Sequence, residues 1–232
     1  MKISTIWMVS LLILSASVLW ADAPSTSKPT AEATITSDEL EIRNNGEQTF
    51  FRGHVILTEE PYLLHADQMV RAKLTGIVTA HGHLDGTWLS EKGEKVKAFG
   101  EDGQYESQIP KTDLWGGHPE MIRWETSADT MPVHIMADRF EALHAKHEFY
   151  AIGHVVITRF PQALTRSDKA NYDQKNQIIY LNGPTRIFVH IADAKGVGDF
   201  TSEKGWMTLA PKTAHLEGHV LGHINPNSGQ TL

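Results

Sequence analysis

Cysteine is absent from the 232-residue chain, which excludes disulfides, thiolate nucleophiles and cysteine-type zinc sites and leaves the redox compartment unreadable. Basic residues are in short supply, 21 Lys and Arg against 28 Asp and Glu, for a formal charge of −7. That balance excludes nucleic acid or an anionic membrane surface as the main partner, so a phosphorylated lipid would be held by its apolar part. The sequence has no serine nucleophile motif, no phosphate-cradling loop and no HExxH helix. Long segments of helical composition are missing too; residues 139–146 are the sort of short stretch that remains. Low-complexity bias is absent, and 41% apolar residues suffice for a folded core.

One long apolar run is present. Met1-Lys2 followed by "ISTIWMVSLLILSASVLWADA" reads as a secretory signal over residues 1–21, with the cut after Ala21 because Pro24 disfavours one after Ala23. An uncleaved inner-membrane anchor is the alternative, since Ile3 to Trp20 nearly reaches spanning length. Residues 22–34 are a Pro/Ser/Thr/Ala linker.

From residue 35 the chain repeats itself. "GHVILT" at 53–58 returns as "GHVVIT" at 153–158, and an acid precedes a glycine by 15 positions in six places: Asp38/Gly53, Asp67/Gly82, Asp102/Gly117, Asp138/Gly153, Asp168/Gly183 and Glu203/Gly218. These form two tandem blocks, 35–135 and 136–224, each of three two-stranded units, followed by a tail at 225–232. Alternating Val, Ile, Phe and Thr with turn signals such as Asn45-Gly46 predicts an all-β chain with almost no helix.

Residues two apart on a strand share a face. Phe51, Gly53, Val55 and Leu57 therefore look one way and Arg52, His54 and Thr58 the other; Val78, Gly82 and Leu84 oppose His81 and His83. The second block agrees, with Phe149, Gly153, Val155 and Ile157 opposing His154, and Leu216, Gly218 and Val220 opposing His215 and His219. Trp115, Met121, Ile179, Leu181 and Ile187 join the same apolar inner face, and Gly117 and Gly183 complete its row of glycines. Those glycines either permit a bend or tight sheet packing, or widen a groove for an apolar ligand.

The stretches "ITSDELEIRNNGEQTFFRGHVILTEEPYLLHADQMV" and "MADRFEALHAKHEFYAIGHVVIT" resemble the OstA-like domain of the LptA family of periplasmic lipopolysaccharide-transport proteins. The resemblance implies a twisted, V-shaped β-jellyroll open at its ends, with lipopolysaccharide acyl chains in the apolar interior. It also implies head-to-tail protomers bridging an inner-membrane LptC-like protein to an outer-membrane LptD-like one. Two departures stand out: His follows the repeated Gly where the family commonly has Asn, and no outer-membrane barrel follows. If the N-terminal run is retained, the anchored LptC-like member is the closer analogy.

Thirteen histidines call for a reading of their own. His81 and His83, about 7 Å apart on one strand face, are the candidates for a metal or pH-sensing site; the alternative is a solvated row stacked across strands. The acids Asp38, Asp67, Asp138 and Asp168 read as inward-facing strand mouths accepting backbone N–H bonds; paired catalytic carboxylates or a calcium site are the other options. The expectation is a non-enzymatic exported carrier without a cofactor. An exported enzyme acting on polysaccharide is the alternative.

Overall fold

The computed structural model describes residues 34–59, 62–89, 95–124, 132–159, 163–173, 175–193, 196–209 and 212–226. The N-terminal apolar run, nearly all of the linker and residues 227–232 of the tail lie outside them. Strand follows strand in the first half: β1 (Thr34–Thr36), β2 (Glu39–Arg43), β3 (Gln48–Glu59), β4 (Tyr62–Ala72), β5 (Ile77–Leu89), β6 (Lys95–Glu106), β7 (Lys111–Trp115), β8 (Glu120–Trp124). The second half continues with β9 (Val133–Met136), β10 (Arg139–Leu143), β11 (Glu148–Arg159), β12 (Ala163–Asp173), β13 (Ile178–Asn182), β14 (Ile187–Asp193), β15 (Gly196–Ser202), β16 (Lys204–Leu209), β17 (Lys212–Glu217) and β18 (Leu221–Pro226). The only helical pieces among the described residues are 3-10 turns at Asn44–Gly46 and His144–Lys146. The chain is all-β, and every pairing is antiparallel.

The pairings trace two ribbons that share the long strands. One runs β2-β3-β4-β5-β6-β7-β10-β11-β12-β13-β16-β17, the other β1-β3-β4-β5-β6-β8-β9-β11-β12-β14-β15-β18. Each long strand crosses from one ribbon to the other at a bulge. On β3, Gly53-His54 stand against the single Asp67 of β4; on β11, Gly153-His154 stand against Asp168 of β12. Gly53 has φ +71° and His54 φ +44°, consecutive left-handed residues that turn the strand out of its first sheet. Glycine adopts that conformation freely and histidine tolerates it better than a β-branched residue.

The repeated glycines therefore make the corner and do not widen the interior. A Cβ built on Gly53, Gly82 or Gly153 would meet the carboxylate of Asp38, Asp67 or Asp138, not a core side chain. The inward placement of the acids is likewise corrected: Asp38, Asp67 and Asp138 have side chains 46–59% exposed. The cause is the bulge, which sets two residues of one strand against one of the other; on β4 the buried positions change parity from Ala66 to Met69. The third unit is also off by one. A Cβ on Gly117 would meet Glu101, and it is Glu101 whose N–H bonds the Gly116 carbonyl; Asp102 instead holds His81.

Candidate lipid-binding interior

Between the two ribbons the inner face is continuous and apolar. It is driest beside the corner, where Val55, Met69, Val155, Leu181 and Ile187 are almost completely buried and Phe51, Leu84, Ile157 and Ile179 nearly so. Toward the strand ends it opens: Leu57, Leu64 and Val78 in the first half, and Phe149, Tyr172, Met207 and Leu216 in the second, pack on those clusters while half-buried. Met121 sits on the same face. An interior graded from a dry apex to accessible lips can give up contacts to a chain that slides in, at the lips first.

Two sequence-assigned residues are elsewhere. Trp115 lies on the outer face, opposite Arg139 and Asp102, because Leu114 beside it is the residue that faces inward. The extra left-handed residue in Gly116-Gly117-His118 moves the alternation by one. Val220 is 47% exposed at the end of the molecule, where no described strand covers it. Sequence alternation also passed over Gly100 and Gly205. A Cβ on Gly100 would lie 2.7 Å from Leu114 Cδ1, so a missing side chain there allows close packing inside.

Outside the corner runs a ladder of imidazole–carboxylate pairs. His54 Nδ1 is 2.7 Å from Asp38 Oδ2, His83 Nδ1 2.8 Å from Asp67 Oδ2, His154 Nδ1 2.8 Å from Asp138 Oδ2 and His219 Nδ1 2.6 Å from Glu203 Oε1. The hydrogen bond that His54 donates to Asp38, and then the charge of Asp38, raise the His54 pKa; Asp67 does the same for His83 and Asp138 for His154. Gly183 is followed by Pro184, and there the Thr185 N–H and hydroxyl donate to Asp168 Oδ2 at 2.7 and 2.6 Å, holding that carboxyl below its ordinary pKa. At the imidazole corners the acids accept from side chains, and the expected backbone N–H bond is present at Asp168, from Thr185.

His81 and His83 do not converge: the first is bound to Asp102 at 2.7 Å, the second to Asp67. Among the described residues no group of three or more His, Asp or Glu could hold a metal ion. A cleft of about 660 Å³ opens at the third corner, lined by Asp85, Glu101, Asp102 and Glu120 with His83 and His118. Its acidity makes it a poor seat for a phosphate.

Among the described residues, both ends of each ribbon are free. Strands β1 and β2 pair only with β3, β17 only with β16, and β18 only with β15.

The family described as LptA/(LptD N-terminal domain) LPS transport protein matches residues 34–133. The matched stretch is 100 of the 232 residues, and over it the chain is similar to that family. Among solved structures, LptH, the LptA homologous periplasmic component of the lipopolysaccharide transport device from Pseudomonas aeruginosa, is 12% identical, with 69% of this chain and 95% of that chain covered at a TM-score of 0.36. No curated protein matches. The LptA-type match takes in β1 to β8 and the cluster of Phe51, Val55, Ala66, Met69, Ala80 and Leu84. The same corner chemistry recurs past its end, at His154–Asp138 and His219–Glu203.

Proposed function

We propose that the protein is a periplasmic lipopolysaccharide carrier, taking the acyl chains of lipid A into the interior and passing them along it between the inner and outer membranes. The LptA-family match supports transport of this class of lipid, and the graded apolar face is the observation that carries the reading. Each methylene that leaves water for this face contributes about 0.8 kcal/mol. Many similar contacts spread over twelve strand positions let a chain advance without passing through one deep trap. The acidic outer surface leaves the phosphorylated sugar in solvent.

The bridging role belongs to the same reading. Free edge strands at both ends suit strand addition, which joins copies head to tail and meets LptC-like and LptD-like partners. The polysaccharide-enzyme reading needs carboxylates gathered around a substrate; Asp38, Asp67, Asp138, Asp168 and Glu203 are instead spaced along the corner, each holding an imidazole or hydroxyl, which leaves the cleft of Asp85, Glu101, Asp102 and Glu120 as the one place to test it. Photocrosslinking in cells that make lipopolysaccharide tests the proposal, with a photoreactive side chain on the inner face expected to capture lipid and one on the outer face expected to capture none.

A further inference from the structure

Three aromatic residues, an amide and an imidazole form one row across the outer face of the second half. On β11, β12, β13, β16 and β17 they stand directly opposite one another: Tyr150↔Asn171, Asn171↔Tyr180, Tyr180↔Trp206 and Trp206↔His215. At about 4.8 Å per strand the row is about 19 Å long. The residues beside it in the chain, such as Ala151, Ala170, Ile179 and Leu181, point into the interior, so the lipid-facing side of the sheet makes no use of this row.

The repeat supplies a control. The same positions on β3, β4, β5, β6 and β7 hold Phe50, Val70, Thr79, Gln104 and Asp113 in the same register. The sheet therefore forms with a single aromatic in the row, and the richer row of the second half is not a demand of the fold. The flank differs as well. One position toward the corner Lys169 stands opposite Asn182, and Lys204 lies two residues before Trp206; the first half has Gln68 opposite His81, and Asp102 two residues before Gln104. A chain of formal charge −7 thus places two cations beside this row.

The side chains combine ring faces with polar tips. The Trp206 and His215 rings stack at 3.8 Å and 23°, which leaves the other face of the indole turned toward Tyr180, 39% exposed on the next strand. Lys169 Nζ lies 4.5 Å over the Tyr150 ring, whose hydroxyl donates to Glu148 Oε2 at 2.8 Å. Between the two tyrosines Asn171 Oδ1 is buried with no hydrogen-bond donor, a costly state for an amide. A ligand hydroxyl that parts the two rings would relieve it. Exposed Asn182 and the hydroxyl pair of Thr208 and Thr213 add donors and acceptors on either side.

That mixture fits sugar. The C–H faces of a pyranose pack on aromatic faces, whose negative quadrupole meets the polarised C–H bonds, while amides and hydroxyls bond its rim. A peptide strand finds no free backbone here, because β12, β13 and β16 are paired on both edges. An acyl chain would leave the polar tips without partners.

We propose that this row binds a cell-wall glycan strand, a linear carboxylate-bearing polysaccharide, with sugar rings on Tyr180 and Trp206 and carboxylates toward Lys169 and Lys204. This is the polysaccharide of the space between two membranes, where the carrier reading puts the protein, and in that respect alone the inference rests on that reading. The row and the apolar interior lie on opposite sides of one sheet, so glycan and lipid do not compete. A protein held to the wall by its outer face keeps its interior open to lipid.

Peptide-free glycan strands of alternating N-acetylglucosamine and N-acetylmuramic acid, titrated calorimetrically into the full-length protein, are the probe. Binding is expected, tighter for longer strands, and about tenfold weaker in Tyr180→Ala and in Trp206→Leu. Tyr180 is exposed enough to be replaced without loss of the fold. Lys169→Gln with Lys204→Gln should weaken binding about two- to fivefold at low salt, a difference that vanishes in high salt. No heat at millimolar strand concentration, or affinity unchanged in both ring variants while their circular dichroism matches the parent's, would overturn the inference. Equal affinity for neutral N-acetylglucosamine oligomers, or for the delipidated saccharide of lipopolysaccharide, would overturn it too. Either failure, with lipid still captured on the inner face, would leave the carrier reading standing; glycan binding in a protein that captures no lipid would do the reverse.

Discussion

Replacing Gly153 with alanine puts the corner itself on trial. The residue has φ +78°, and its added Cβ would overlap the carboxylate of Asp138, which lies there to hold His154. The left-handed backbone costs an L-residue about 1–2 kcal/mol. Pushing Asp138 aside adds an amount of the order of 1 kcal/mol for distorted packing, so a total near 2–3 kcal/mol is expected. For a chain of this size that lowers the melting temperature by about 4–12 °C. Chemical denaturation of Gly153→Ala, of Asp138→Ala and of the double variant forms a cycle. With Asp138 shortened the overlap with its carboxylate is gone and a tight approach to its Cβ at 3.0 Å is all that remains, so the glycine substitution should then cost little more than its backbone part, a coupling of about 1 kcal/mol. A single variant within 0.5 kcal/mol of the parent, or equal costs in both backgrounds, would refute the assignment of this glycine to the corner.

Other outcomes follow from the same geometry. Ile187→Ala, at a position with no exposure, should destabilise by about 2–5 kcal/mol in denaturant melts, whereas Ile224→Ala, 66% exposed at the C-terminal edge, should stay within about 0.5 kcal/mol. Lys111→Met leaves Asp113 and Glu141 without their shared ammonium and should cost about 1–3 kcal/mol by the same measurement. The raised pKa values of His54, His83 and His154 mean that their pairs with Asp38, Asp67 and Asp138 stabilise the fold fully below the ordinary histidine value of 6.5 and lose that contribution as pH rises through the raised value. NMR titration of the imidazoles should show the shift at His54 disappear in Asp38→Asn. Asp168 behaves oppositely: its contribution is present above the unfolded value and lost as pH falls through the depressed one, and Thr185→Val should lessen the depression by the hydroxyl's share while the backbone N–H keeps the rest.

Much of the inner face was legible in the sequence because β3 and β11 keep their alternation through the bulge: Phe51 and Val55, and likewise Ala151 and Val155, stay inward on either side of a left-handed pair. The acid-bearing strands do not keep it, so Asp67 was assigned to the wrong side by the parity of Met69. Twin acids at Glu101-Asp102 and twin glycines at Gly116-Gly117 hid which members of the third unit meet, and that slip carried Trp115 inward with it. The imidazole–carboxylate pairs were illegible for another reason. Each joins residues 16 apart in the chain, and only the corner brings them together. The network of Lys111, Asp113, Arg139 and Glu141 spans the two halves, and no local pattern announces it.

The central claim is that acyl chains occupy this interior, and the accessible lips are where a bound chain must pass. Val55 and Val155 are too tightly packed to accept a probe, but Leu57 and Met207 are inward and half-buried, and Thr58 and Tyr180 face out. With a photoreactive amino acid at each position in cells making lipopolysaccharide, lipid adducts are expected at Leu57 and Met207 and not at Thr58 or Tyr180. Adducts at the outer positions alone, or none at either inner position in a folded protein, would contradict the account.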